Sequence, residues 1–172
     1  MNILDIGCGR NKTYGSVGID FCGNADADVR HDLNSFPYPF AENTFDRVVM
    51  KNVIEHLDNI VKVMEEIHRI CKNGAEVLIT TPHYSSLYSW QDPTHRHHLA
   101  LDSFDYFIED TKHTNFYSDS RFEIVRKDII FGKSVLSVIA RAIYYLSKHK
   151  YEKHFSFLFP ANSLRFELKV VK

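Results

Sequence analysis

Ile3-Leu4-Asp5-Ile6-Gly7-Cys8-Gly9, followed by Val17-Gly18-Ile19-Asp20, decides how this chain folds. The first apolar run reads as a strand entering Gly7-Cys8-Gly9, a turn at which the lack of side chains lets backbone approach a ligand closely. The second reads as a strand ending in Asp20, whose carboxylate then lies beside that turn and suits a pair of adjacent ribose hydroxyls. The two strands form an edge able to hold a nucleoside; a tight turn without ligand is the plainer alternative.

Two kinds of nucleoside cofactor use such an edge. A dinucleotide fingerprint needs a third glycine three positions after the second and an acid about 20 residues on. Here Lys12 stands at the third position and Asp20 follows Gly9 by 11 residues, so a nicotinamide dinucleotide fits poorly. Asp5-Ile6-Gly7-Cys8-Gly9 with Asp20 instead resembles the first two motifs of class I S-adenosylmethionine-dependent methyltransferases. The resemblance continues in order through His31-Asp32-Leu33, Phe45-Asp46-Arg47-Val48-Val49, Val53-Ile54-Glu55-His56-Leu57 and Asn73-Gly74-Ala75-Glu76-Val77-Leu78-Ile79. It implies S-adenosyl-L-methionine as cofactor. By resemblance, Asp5, Gly7, Cys8 and Gly9 lie under its methionine and ribose, Asp20 holds the ribose hydroxyls, and Phe21 flanks the adenine. Asp32 and Leu33 meet the adenine edge, with Asn52 and Val53 completing the floor. The plainer alternative for Asp32-Leu33-Asn34 is a turn or helix cap, and Cys8 reads as a small turn residue.

Working outward, short apolar runs alternate with amphipathic ones, the pattern of an α/β sheet with crossovers. Strands are expected at about 2–6, 16–20, 27–31, 45–51 and 75–81, and an antiparallel pair at 121–131 and 163–171. Apolar residues at three- and four-residue spacing predict a helix over 53–72, stopped by Asn73-Gly74. The expected fold is a Rossmann-like, seven-stranded, mostly parallel sheet with an antiparallel edge strand, a shortened N-terminus and a helical insertion at 132–162. All of 1–172 is expected to form a single methyltransferase domain. Arg10 to Ser16 is too short for a full crossover helix, leaving the 82–100 loop and the insertion as covers for the methionine end.

Bulk properties narrow the class. The 172 residues, 44% of them hydrophobic, suit one ordinary domain. A formal net charge of −1 gives no field to gather a polyanion, which disfavours nucleic acid as partner. Three cysteines, odd in number and without metal-ligand spacing, fit free thiols and a cytoplasmic location. No apolar run reaches the ~18 residues of a membrane span.

Beyond the fifth strand the chain is rich in histidine. His83 and His95 are candidate catalytic bases, with Asp92 orienting an imidazole and Tyr84 and Trp90 shaping the acceptor pocket. A capped turn at Asp92-Pro93-Thr94-His95, with histidines bonded to loop backbone, is the competing reading, stronger for His97 and His98. No metal site is expected. The loop's Asp92, His95, His97 and His98 match no standard spacing. Asn52-Val53-Ile54-Glu55-His56 is similar to a Glu-x-x-Glu-His segment that binds a divalent ion in quinone-precursor O-methyltransferases, but Asn52 replaces the first acid. His56 is expected to pack beside the cofactor.

In the insertion, Val135, Val138, Ile139, Ala142, Ile143 and Leu146 share a helical face flanked by Lys133, Arg141, Lys148, Lys150 and Lys153. Such a face usually packs on its own core or a homodimer partner; the basic flank also suits a membrane surface or lipid-linked substrate. The expected function is S-adenosylmethionine-dependent methylation, on oxygen, of a small-molecule, glycan-type or lipid-linked acceptor. The rivals are a non-catalytic cofactor-binding scaffold or partner subunit, and a protein or RNA methyltransferase.

Overall fold

The computed structural model describes residues 1–108 and 118–172. Its sheet contains β1 (Ile3–Ile6), β2 (Val17–Asp20), β3 (Val29–Arg30), β4 (Phe45–Lys51), β5 (Cys71–Pro82), β6 (Arg121–Ile130) and β7 (Ser163–Val171), in the order β3-β2-β1-β4-β5-β7-β6. The first five pair in parallel, and β7 runs antiparallel to both β5 and β6. Two chain directions diverge from β1, to β2 on one side and β4 on the other. That is the switch point outside which ligands bind in open α/β sheets.

β1 and β2 are joined without a helix, as the short link requires. Asp5 stands in for part of the missing packing. Buried in β1, it accepts a 2.6 Å hydrogen bond from Thr13 N and pins the link across the strand end. Residues 31–44 also lack helix; there Tyr38 is buried, donating from its hydroxyl to Leu33 O.

The helix expected over 53–72 is shorter and divided. A 3-10 turn spans Ile54–His56, and α1 spans Ile60–Ile70. Asn59 starts α1 as its N-cap, accepting from Lys62 N at 3.0 Å. Val63, Met64, Ile67 and Ile70 are buried along one face, as the periodicity requires. The stop falls before Asn73-Gly74, because Cys71 is extended and already pairs with Phe45. The next pair is Arg47 with Glu76, so residues 72–75 oppose Asp46 alone, and Gly74 takes a left-handed φ of 76° within that bulge.

After the short α2 (Leu87–Gln91), the insertion forms α3 (Val135–Leu146), α4 (Lys148–Lys150) and a wide turn, Tyr151–Phe155. Its apolar face is not the packed one. Ser137, Ala140 and Tyr144 face inward, while Val135, Val138, Ile139, Ala142 and Leu146 are exposed. Small side chains at 137 and 140 permit close approach, and the ring of Tyr144 lies edge-on to Phe131 and Tyr151. Among the described residues, no helix is long and apolar enough to cross a membrane.

Candidate functional site

A cavity of about 880 Å³ opens at the switch point, within the size range of small-molecule sites. Gly7, Asp20, Phe21, Asp32, Leu33, Asn52 and Val53 line it, together with Asn34, His56, Leu57, Pro93, Thr94 and Arg96. Gly7 has a φ of 66°, and a Cβ there would come within 2.8 Å of Val53 Cγ1. The turn must therefore be glycine, on conformational and steric grounds.

Asp20 is positioned by backbone. Gly9 N donates to its Oδ2 and Cys22 N to its Oδ1, each at 2.9 Å. Both oxygens keep lone-pair capacity, so the carboxylate can still accept two hydroxyls. Phe21, next along, is 70% exposed and offers a free ring face at the rim. Asp32 caps its own turn, accepting from Asn34 N, and also lines the cavity. The two readings of Asp32 are compatible.

Asp5, Cys8 and Gly9 are not on the cavity wall; Asp5 and Gly9 hold Thr13 and Asp20 in place from behind. Burial, then the nearby Asp20 and Asp5 carboxylates, push the Cys8 thiol upward in pKa, which suits a packing residue rather than a nucleophile.

The opposite wall comes from the 92–98 loop. Arg96 N and His97 N donate to Glu55 O at 2.8 and 3.2 Å, and Arg96 Nη1 meets Asp58 Oδ1 at 2.8 Å. These bonds dock Pro93, Thr94 and Arg96 over the cavity. The insertion contributes nothing to this wall.

Next to it lies a second cavity of about 380 Å³, sharing Asn52 and His56 with the first and bounded by Glu55, Pro82, Tyr88, Gln91, Asp92, His95, Asn162 and Ser163. Asn52 holds a φ of 53°, an uncommon conformation for a residue other than glycine and one that concentrates at functional sites. His95 Nδ1 lies 3.1 Å from Ser89 O, and its Nε2 lies 4.0 Å from Glu55 Oε1 and 3.9 Å from Asp92 Oδ2. The His56 and His95 rings meet edge-on with centroids 4.5 Å apart. Glu55 is 1% exposed; Thr81 Oγ1 donates to its Oε2, and its Oε1 has no hydrogen-bond partner. Burial pushes the Glu55 carboxyl above the usual range.

The structure separates the two expected bases. His95 faces the second cavity, but His83 is wholly buried outside both. Ser85 N donates to His83 Nδ1 at 3.1 Å, which makes Nε2 the protonated nitrogen, donating to Glu152 Oε1 at 3.1 Å. A role for His83 as catalytic base is thereby corrected to one of anchoring the insertion. Tyr84 likewise binds inward, to Glu152 O and Ser156 Oγ, and lines neither cavity. Trp90 is exposed, stacked on His98 at 3.7 Å with its indole N–H on Tyr84 O. Asp92 does line the second cavity. His97 bonds to Leu57 O and His98 to Ser89 Oγ, fixing the loop rather than facing a ligand.

Residues 4–79 match the family model described as a methyltransferase domain. An uncharacterised protein of Methanocaldococcus jannaschii is 31% identical over 96 residues, covering 49% of this chain and 42% of that protein. The chain thus matches less than half the length of this curated relative. Among solved structures, an S-adenosylmethionine-dependent methyltransferase from Mesorhizobium loti superposes with a TM-score of 0.63 at 12% identity, over 98% of this chain and 90% of that one. One from Archaeoglobus fulgidus gives 0.61 at 19%, over 98% and 85%. A Haloferax volcanii structure, a complex of the Trm112 methyltransferase activator with a methyltransferase, gives 0.63 at 13%, over 99% and 83%. The segment matched as a methyltransferase domain takes in the glycine turn and Asp20, and the chain as a whole shares the fold of these solved methyltransferases.

Proposed function

We propose that the protein binds S-adenosyl-L-methionine in the larger cavity and transfers its methyl group to an oxygen of an acceptor admitted through the second. The observation that carries this reading is the Asp20 carboxylate, fixed by two backbone donors on the wall of a cavity that begins at Gly7. A ribose diol fits that carboxylate, the ring of Phe21 suits an adenine, and Asn34 and Asp32 offer polar atoms to its edge. The cofactor supplies a methyl carbon made electrophilic by a cationic sulfur. The chain's part is alignment, exclusion of water and management of the acceptor proton.

His95 is the residue proposed to meet that proton. Its Nδ1 must donate to the Ser89 carbonyl, so the neutral ring carries its lone pair on Nε2. Glu55 Oε1 and Asp92 Oδ2 flank Nε2 at 4.0 and 3.9 Å. In the balanced reaction an acceptor oxygen pair forms the new C–O bond, the C–S pair stays on sulfur as S-adenosylhomocysteine, and the hydroxyl proton goes to Nε2.

The acceptor is proposed to be a small-molecule, glycan-type or lipid-linked hydroxyl compound. The lipid-linked form is favoured by exposed apolar residues near the second cavity. Leu87, Tyr88 and Trp90 on α2 (Leu87–Gln91) adjoin Tyr84, against whose ring Phe157 of the insertion packs. The cytoplasm is the proposed location, consistent with free thiols at Cys8, Cys22 and Cys71.

Calorimetric titration with S-adenosylmethionine and S-adenosylhomocysteine tests the reading. Micromolar binding, weakened at least tenfold in Asp20→Asn, is expected. Absence of binding by folded wild-type protein would overturn it in favour of a non-catalytic partner subunit.

A further inference from the structure

Glu55, His56 and His95 each offer a ligand atom, and these atoms lie within 4.8 Å of one another. From this convergence, and from the unpartnered buried oxygen Glu55 Oε1 beside the second cavity, we infer that the protein holds a divalent transition-metal ion, zinc in the first instance, on Glu55, His56 and His95. A carboxylate oxygen sealed from solvent without a donor is costly to maintain. A cation directed at that oxygen would remove the cost.

The surroundings prepare both imidazoles. Thr94 Oγ1 donates to Asp92 Oδ1 at 2.7 Å, so toward His56 Nδ1, at 2.9 Å, it can only accept. Nδ1 of His56 therefore carries hydrogen and Nε2 a lone pair. His95 reaches the same state through the Ser89 carbonyl. Metal-bound histidines are commonly oriented in this way, by an acceptor on the nitrogen away from the ion. Glu55 is held on its other oxygen by Thr81, leaving Oε1 as the ligand atom. Tetrahedral ligands around zinc stand about 3.3 Å apart at bond lengths near 2 Å, so closing from 4.0 Å between His95 Nε2 and Glu55 Oε1 takes a side-chain adjustment only. Two nitrogens and one carboxylate suit zinc, iron or manganese over magnesium.

Three protein ligands leave a coordination position for another oxygen. Since the second cavity adjoins the proposed methyl-donor cavity, that oxygen is inferred to be the acceptor's. This functional part rests on the methyltransferase reading; metal binding itself does not. A bound ion takes over from His95 the task of lowering the acceptor's pKa, with the hydroxyl proton released to water.

The test uses the full chain, stripped with a chelator and titrated with Zn²⁺, Mn²⁺ or Mg²⁺ by calorimetry, and with Co²⁺ by visible absorption. One Zn²⁺ per chain at micromolar or tighter affinity is expected, with weaker Mg²⁺ and a cobalt d–d band. Glu55→Gln, which keeps the Thr81 bond, and His95→Ala should each weaken Zn²⁺ at least tenfold, while a His149→Ala/His154→Ala control, at two exposed positions of the insertion, retains it. Binding unchanged in both ligand variants, or no stoichiometric binding, overturns the inference. S-adenosylhomocysteine titrated into the same stripped samples keeps the two ideas apart. Protein that binds cofactor but takes up no Zn²⁺ sinks only the metal site, and protein that takes up Zn²⁺ but binds no cofactor sinks only the methyltransferase reading.

Discussion

Gly7 and Val53 interlock. The glycine turn after β1 leaves room for Val53 and no more, since a Cβ at position 7 would lie within 3.1 Å of three Val53 side-chain carbons. This contact joins the first strand's turn to the end of the fourth strand, the two backbone segments that flank the switch point. Gly7→Ala should therefore both destabilise the fold and distort the cavity. A left-handed alanine costs about 1–2 kcal/mol, and the overlap about 1–3 kcal/mol more. A double-mutant cycle with Val53→Ala separates the two, because the second change relieves the overlap and leaves the backbone cost. Partial recovery of melting temperature in the double variant is the expected result; additive losses would show that the contact does not matter.

Glu66 and Arg69 clasp the helix-free segment 36–40. Glu66 Oε2 accepts from Tyr38 N at 2.7 Å, and Arg69 donates to both Glu66 oxygens and to the carbonyls of Tyr38 and Phe40. Burial raises the Glu66 carboxyl, but the guanidinium and the Tyr38 amide outweigh it, and its pKa is lowered. A depressed folded-state pKa means stability present above the unfolded carboxylate range and lost as pH falls through the folded value. Glu66→Gln should cost about 1–3 kcal/mol at neutral pH. Melting curves of variant and wild type should converge in acid below the ordinary glutamate pKa; a constant gap across pH would refute the clasp.

What the sequence makes legible follows from how local each feature is. The glycine turn, Asp20 and the alternation of strands are written in runs of a few residues, and the order of motifs carries the topology with it. The division of the 53–72 helix was readable at Asn59, a good N-cap whose signal the apolar periodicity masked. Direction of side chains is harder. His83 follows β5 at the edge where ligands bind, yet a bridge to Leu99 and the bond to Glu152 turn it inward. The meeting of Glu55 with His95 depends on two backbone bonds across some 40 residues, and nothing in either segment alone announces it.

His83 now carries a structural prediction. Its imidazole joins Ser85 to Glu152, and Glu152 Oε1 also accepts from Leu101 N at 2.7 Å. Removing the ring leaves a carboxylate and a serine short of partners around a void. His83→Ala should cost about 2–4 kcal/mol of stability. Cofactor affinity should be near wild type in protein that remains folded. His95→Ala should show the opposite pattern, with stability little changed and turnover lost. A specific loss of turnover in His83→Ala at unchanged melting temperature would reinstate it as a base.

α3 presents its apolar face outward, with Val135 80%, Tyr145 77% and Leu146 87% exposed. Lys133, Arg141, Lys148, Lys150 and Lys153 stand on the same insertion, whose acid, Glu152, is turned inward to His83 and Leu101. An apolar stripe with a basic flank and no exposed acid suits the surface of an anionic bilayer, where burial of apolar side chains adds to attraction for lipid headgroups. It also fits a lipid-linked acceptor, since Phe157 on the insertion packs against Tyr84 at the start of the loop bearing His95. Sedimentation with phosphatidylglycerol vesicles at low salt should retain the protein, and phosphatidylcholine vesicles should retain less. Leu136→Glu with Leu146→Glu should abolish retention without lowering the melting temperature, because both side chains are exposed in the folded chain. If vesicles bind neither form but the same double variant converts a dimer to a monomer, the face belongs to a second copy and the membrane reading falls.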